Sequence, residues 1–109
     1  MILLKKINVS EMNPGKIEGE KGSVETYDPL HDEIVAGVRV VKASSNVPKR
    51  PHIHPEKQLI YVIAGSGKIT NGDITIDLVS GDFVMLDSNE EHYVMTETEE
   101  LKVFEVKYT

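Results

Sequence analysis

Branching at Cβ dominates the apolar side chains of this chain: thirteen Val and ten Ile stand against seven Leu, four Met and three Ala. Val and Ile are stiff at χ1 and crowd the preceding turn of a helix, whereas on a pleated strand they sit without strain. A sequence with this balance is expected to be mostly β. Its 109 residues suit one core, so a single domain over residues 1–109 is expected. At 39% hydrophobic and 28% charged, the chain has too much apolar surface for disorder and no run near the roughly 20 apolar residues of a membrane span.

Glycine and proline recur as turn punctuation and mark out about nine short strands. The expected strands are Ile2–Val9, Ser23–Tyr27, Ile34–Ala43, Gln58–Ala64, Lys68–Thr70, Asp73–Val79, Phe83–Leu86, His92–Met95 and Leu101–Tyr108. Ser10–Gly22 reads as a long connection, and Ser44–Pro51, with two prolines and two cations, as an exposed one. Gly65-Ser66-Gly67 reads as a turn. Asn71-Gly72 predicts a two-residue type I′ hairpin, in which both central residues take positive φ. With no convincing helix, the pattern points to an antiparallel barrel or sandwich.

The charge balance narrows the partners. Twelve basic against eighteen acidic residues give a net charge of −6, which repels phosphate backbones and anionic lipid; no nucleic acid and no membrane partner is expected. The opening Met-Ile-Leu-Leu is followed at once by Lys5 and Lys6, unlike a signal peptide, and a cytoplasmic location is the default expectation. There is no cysteine, which removes disulfides, thiolate metal sites and a cysteine nucleophile. A metal would have to use His, carboxylate or amide ligands.

Three of the four histidines have that potential. His52 and His54 are one residue apart, so on extended backbone both imidazoles leave the same face. Gln58 shares their parity if the Pro55-Glu56-Lys57 corner keeps register, and offers a carbonyl oxygen to the same point. His92 opens a later strand that an antiparallel pairing can bring alongside. By the same parity Ile60, Val62, Val94 and Thr96 face the site, and Tyr61 faces away. Arg39, on the buried strand, and Arg50 could each meet an anion, Arg50 reading first as an exposed cation at the barrel rim. His31 and the acidic run Glu97–Glu100 read as solvated.

These residues carry a resemblance. The span His52-Ile53-His54-Pro55-Glu56-Lys57-Gln58, closed by Gly65, resembles the first motif of the cupin superfamily, with Asn46 at its first Gly and Gln58 at its Glu. Gly81 and His92 keep the separation of the second motif, with Asp87, Asn89 and Thr96 in place of Pro, Gly and Asn. Together the motifs span Asn46–Thr96. The resemblance implies an all-β, antiparallel jelly-roll barrel with one divalent transition metal ion held by His52, His54, Gln58 and His92. A neutral amide in place of a carboxylate leaves the ion's full charge to be balanced from outside. That favours an anionic or enolisable small-molecule ligand, and Fe, Mn, Ni, Cu, Co or Zn over harder ions.

The implied chemistry is of dioxygenase or of isomerase and decarboxylase type. The alternative is a non-catalytic binding or structural barrel whose histidines are hydrogen-bonded core residues. The apolar residues of Met1–Val9, with Lys5 and Lys6 left wet, are expected to form the interface strand of a homodimer.

Overall fold

In the computed structural model, which describes residues 4–109, nine strands follow a 3₁₀ turn at Val9–Glu11. They are β1 (Gly15–Glu18), β2 (Ser23–His31), β3 (Val35–Val41), β4 (Asn46–Val47), β5 (Lys57–Thr70), β6 (Thr75–Val79), β7 (Phe83–Leu86), β8 (Tyr93–Met95) and β9 (Leu101–Tyr108). Every pairing is antiparallel. One layer runs β1-β2-β3-β9-β5-β7 and the other holds β6, β5, β8 and β4. The result is an all-β, nearly closed barrel of the kind the resemblance implies. Among the described residues no helix is long and apolar enough to cross a membrane.

The fourteen-residue strand β5 is what joins the two layers, so the expected turn at Gly65-Ser66-Gly67 does not exist. The first half of β5 pairs with β9 and β7, the second with β6 and β8. Its register against β9 shifts between Val62 and Ala64. Gly65 then takes φ +85, a left-handed value that glycine adopts freely. A Cβ there would also collide with the backbone carbonyl of Glu100. The strand bends instead of turning.

Other expectations change for local reasons. Ile2 and Leu3 lie outside the described residues, and residues 4–8 carry no ladder, so the predicted N-terminal strand is not formed over its described part. The Asn8 side chain accepts the Ser10 N–H while Glu11 accepts the Asn8 N–H, closing the chain on itself. Within the supposed long connection, β1 instead pairs with β2. Asn46 and Val47 form β4 against β8, with the prolines and cations displaced just beyond. Gly72 has positive φ, but Asn71 does not. The Asn71 side chain accepts the N–H groups of Asp73 and Ile74, and the return strand begins only at Thr75.

Inward parity supplies the core: Val24, Val41, Val47, Ile60, Val62, Ile69, Leu78, Leu86, Leu101 and Val103. The outer face of the larger layer is also apolar. Register places Phe83, Tyr61, Phe104, Val38 and Tyr27 in one cross-strand row and Met85, Leu59, Val106, Ala36 and Leu30 in the next. Tyr61 thus faces outward, as its parity predicts, and stacks on Phe83 with ring centroids 4.7 Å apart.

Candidate metal centre

Tertiary placement, not strand geometry, brings the histidines together. His52 and His54 lie in the irregular segment between β4 and β5, and His92 lies just before β8. Their rings meet edge to face, with centroids 5.3 Å apart for His52–His54, 4.8 Å for His52–His92 and 5.0 Å for His54–His92. One nitrogen from each ring lies within 4.8 Å of the other two. Two nitrogens sharing an ion at about 2.1 Å in tetrahedral geometry are about 3.4 Å apart, a separation inside that bound.

Backbone carbonyls set the ring orientations. His92 Nδ1 lies 2.9 Å from the Glu90 carbonyl and His54 Nδ1 lies 3.1 Å from that of Glu56. A Nδ1–H donated to each leaves Nε2 as a lone pair facing inward, the tautomer that a ligating imidazole needs. The loop bearing His92 is anchored as well. The Glu90 carboxylate accepts the Asp87 N–H and the Asn71 amide, and these hold its pKa below the usual range. The Asn89 N–H reaches the His54 carbonyl at 2.9 Å, tying the two histidine segments to each other. Burial, and then the charges of its two histidine neighbours, lower the His52 pKa to about 4. His92 is lowered too, chiefly by burial. Both rings are therefore neutral near pH 7 and free to donate lone pairs.

Gln58 is 3% exposed, at the start of β5. Its amide nitrogen donates to both carboxylate oxygens of Glu105, at 2.8 and 2.9 Å. That turns the carbonyl oxygen toward the histidines, 3.1 Å from His54 Nε2. An amide turned the other way would set its oxygen against a carboxylate. Glu105 is in turn held by Arg39 at 3.5 Å, and Arg39 grips Asp28 through contacts of 2.6 and 3.1 Å. Burial raises the Glu105 pKa, and Arg39 is the largest opposing influence.

This arrangement tests the fit of a cation. His54 has an acceptor at both ring nitrogens: the Glu56 carbonyl at Nδ1 and the Gln58 carbonyl at Nε2. A neutral imidazole has one N–H and satisfies one of them, leaving a lone pair against an oxygen lone pair at the other. A cation drawing on the lone pairs of both Nε2 and the Gln58 oxygen removes the conflict, as does a second ring proton. The donor set therefore fits a metal ion.

A cavity of about 90 Å³ adjoins the cluster, walled by Val24, Val41, Ile60, Ile69 and Val103 among others, with His52, Gln58, His92, Glu105 and Lys107 toward its polar end. Of the residues assigned to the site face by parity, Ile60 and Val94 line it. Val62 is buried in the core, and Thr96 is spent on the Lys42 carbonyl and the Ser45 N–H. Arg39 does not meet a ligand with a free charge, being paired as described. Arg50 sits over the Tyr93 ring at 3.8 Å. The sequence reading missed Asp28, Glu105 and Lys107. The signal was present in β9, where Leu101, Val103, Glu105 and Lys107 share one parity, so two charges continue an apolar stripe.

Residues 38–107 match the family described as Cupin domain, and this chain belongs to that family. Among solved structures it is similar to a protein of Thermotoga maritima described as a predicted oxalate decarboxylase, with TM-score 0.81 and 22% identity, over 95% of this chain and 98% of that one. It is similar to the polyketide cyclase RemF of Streptomyces resistomycificus, with TM-score 0.78 and 17% identity, over 96% and 79% of the two chains. A stretch of 66 residues is 36% identical to legumin type B of Vicia faba, covering 57% of this chain and 14% of that protein. At these identities the solved structures establish the fold alone.

Proposed function

We propose that this cupin holds one divalent transition metal ion on His52, His54 and His92, with the Gln58 carbonyl as a fourth donor, and acts there on a small anionic or enolisable molecule. The observation that carries the reading is the double acceptor around His54, with the Gln58 amide already committed to Glu105. Imidazole and amide donors suit Fe, Mn, Ni, Cu, Co or Zn better than Mg or Ca. Such an ion supplies Lewis-acid or oxygen-activating chemistry when bound. The chain's own residues fix the donor rings, aim the Gln58 carbonyl and wall the space with hydrocarbon. The likeness to a protein described as a predicted oxalate decarboxylase is in keeping with a small oxygen-rich substrate.

Elemental analysis of purified, metal-supplemented protein tests this. Close to one first-row ion per chain is expected, lost in the His52→Ala/His54→Ala variant. Protein that takes up none of the six metals overturns the reading. Loaded protein that binds small acids without consuming them supports the non-catalytic alternative.

A second copy of this chain is the partner we propose, seated on the two apolar rows of the outer sheet face. Phe83, Met85 and Phe104 are 62%, 69% and 40% exposed. At about 150–250 Å² for a large side chain, these and the partly exposed residues of the rows present roughly 700 Å², close to the roughly 800 Å² per partner of a stable interface. Light scattering should give a mass near twice 12.2 kDa, falling to one chain in Phe83→Lys/Met85→Glu. A full-length monomer at micromolar concentration, or pairing lost only when residues 1–9 are removed, refutes the assignment to this face.

A further inference from the structure

We infer that Lys107 is the anion anchor of the cavity, and that the ligand is a small carboxylate whose second oxygen donor faces the histidine cluster. This deepens the metal reading and rests on it. Lys107 stands opposite Gln58 in the β5–β9 register and lines the cavity with His52, His92 and Gln58. It follows Leu101, Val103 and Glu105 on the inward parity of β9, so its stem continues the wall and its ammonium belongs to the polar end.

Charge separates Lys107 from the other cation of the cavity. Arg39 is bound to Asp28 and Glu105. Lys107 has no ion-pair partner among the described residues. Glu105, nearest on the same strand face, is already engaged by Arg39 and by the Gln58 amide nitrogen. The formal charges of Asp28, Arg39, Glu105 and Lys107 sum to zero, and Gln58 adds none. A divalent ion would then leave the polar end with two uncompensated positive charges, met by a ligand that places one oxygen near the rings and a carboxylate on Lys107. That field favours an anion over a neutral ligand, and bulk limits the choice further. A cavity of about 90 Å³ is smaller than the cavity of about 150 Å³ that takes benzene. A two- or three-carbon 2-oxo acid, 2-hydroxy acid or dicarboxylate is of that order.

The test uses the full chain loaded with Co²⁺, whose visible absorption responds to a new oxygen donor, titrated with pyruvate and with its uncharged methyl ester. Wild-type protein should bind pyruvate at least about tenfold more tightly than the ester, a charge-assisted contact being of that size. Lys107→Met should abolish the preference and leave ester binding and cobalt stoichiometry unchanged, while Lys107→Arg should retain the preference. Full cobalt loading with the same preference in wild type and Lys107→Met overturns the anchor and leaves the metal reading standing, as does a wild type with no preference. A wild type that takes up no cobalt or any other of the six metals overturns both.

Discussion

Arg39→Met isolates the cost of the charge chain beneath the site. Arg39 is 6% exposed and Glu105 7%, and methionine keeps most of the stem while removing the guanidinium. Asp28 is the more exposed partner, its side chain 18% accessible, and rehydrates. Glu105 cannot, and the Lys107 charge and the Gln58 amide are what remain to hold it. Breaking a buried pair from one side costs about 3–5 kcal/mol because a charge is left behind. With an unfolding entropy of about 2.1 cal/mol/K per residue, a loss of about 3 kcal/mol lowers Tm by about 13 °C in a chain of this length. The measurement is thermal unfolding followed by far-UV circular dichroism with chelator present. Replacing the orphaned carboxylate as well, in Arg39→Met/Glu105→Gln, should restore at least half of the loss, because the amide introduced on β9 still accepts from Gln58 without carrying a charge. The pH dependence has a fixed sign. Burial raises the folded-state pKa of Glu105, so between the unfolded value and that higher value the folded state binds the extra proton. The deficit of the single variant should therefore shrink as pH falls from about 8 toward about 5. A single variant within about 4 °C of wild type, or a double variant no better than the single, would refute this account of the buried charges.

Gln58→Glu places a second buried carboxylate against Glu105, so the metal-free variant should lose about 2 kcal/mol by chelator-treated thermal unfolding and recover on metal addition. Its metal affinity should not fall, and its preference for anionic ligands should weaken; unchanged anion affinity would remove Gln58 from the donor set. Gly65→Ala should lower stability by about 2 kcal/mol or more in urea, combining left-handed strain with the collision at Glu100. Gly81→Ala, with φ +96 and open space around the new Cβ, should cost only the strain, about 1 kcal/mol; equal losses at the two sites would deny the steric role of Gly65.

Local rules reached the β9, β7 and β3 segments because their patterns depend only on alternation and flanking turns. They failed where partners decide. Gly65 and Gly67 look like a turn in isolation, and only the need for one strand to serve two layers makes them a bend. Asn71-Gly72 carries the composition of a tight hairpin, but the Asn71 side chain captures two following N–H groups and opens the loop. Over its described part the N-terminal segment joins no ladder of its own chain, and Val9 enters the 3₁₀ turn that Asn8 and Glu11 cap.

The site was legible as a set of residues and illegible as a circuit. Spacing related His52, His54, Gln58 and His92, although the first two histidines are not on a strand and parity reached them for the wrong geometric reason. What gives Gln58 a direction is invisible to its neighbours in sequence. A glutamine amide is symmetric in shape and polar at both ends, so its orientation has to come from outside. Here it comes from Glu105, 47 residues away, whose two carboxylate oxygens both face the amide nitrogen and so turn the carbonyl oxygen toward His54. The substitution of Gln for the usual Glu and the buried acid on β9 are therefore one feature. A glutamate at position 58 would face Glu105 as a like charge, whereas an amide turns that same charge into the device that aims its carbonyl. The negative charge sits on the amide-nitrogen side of Gln58, and the carbonyl oxygen is on the side of His54.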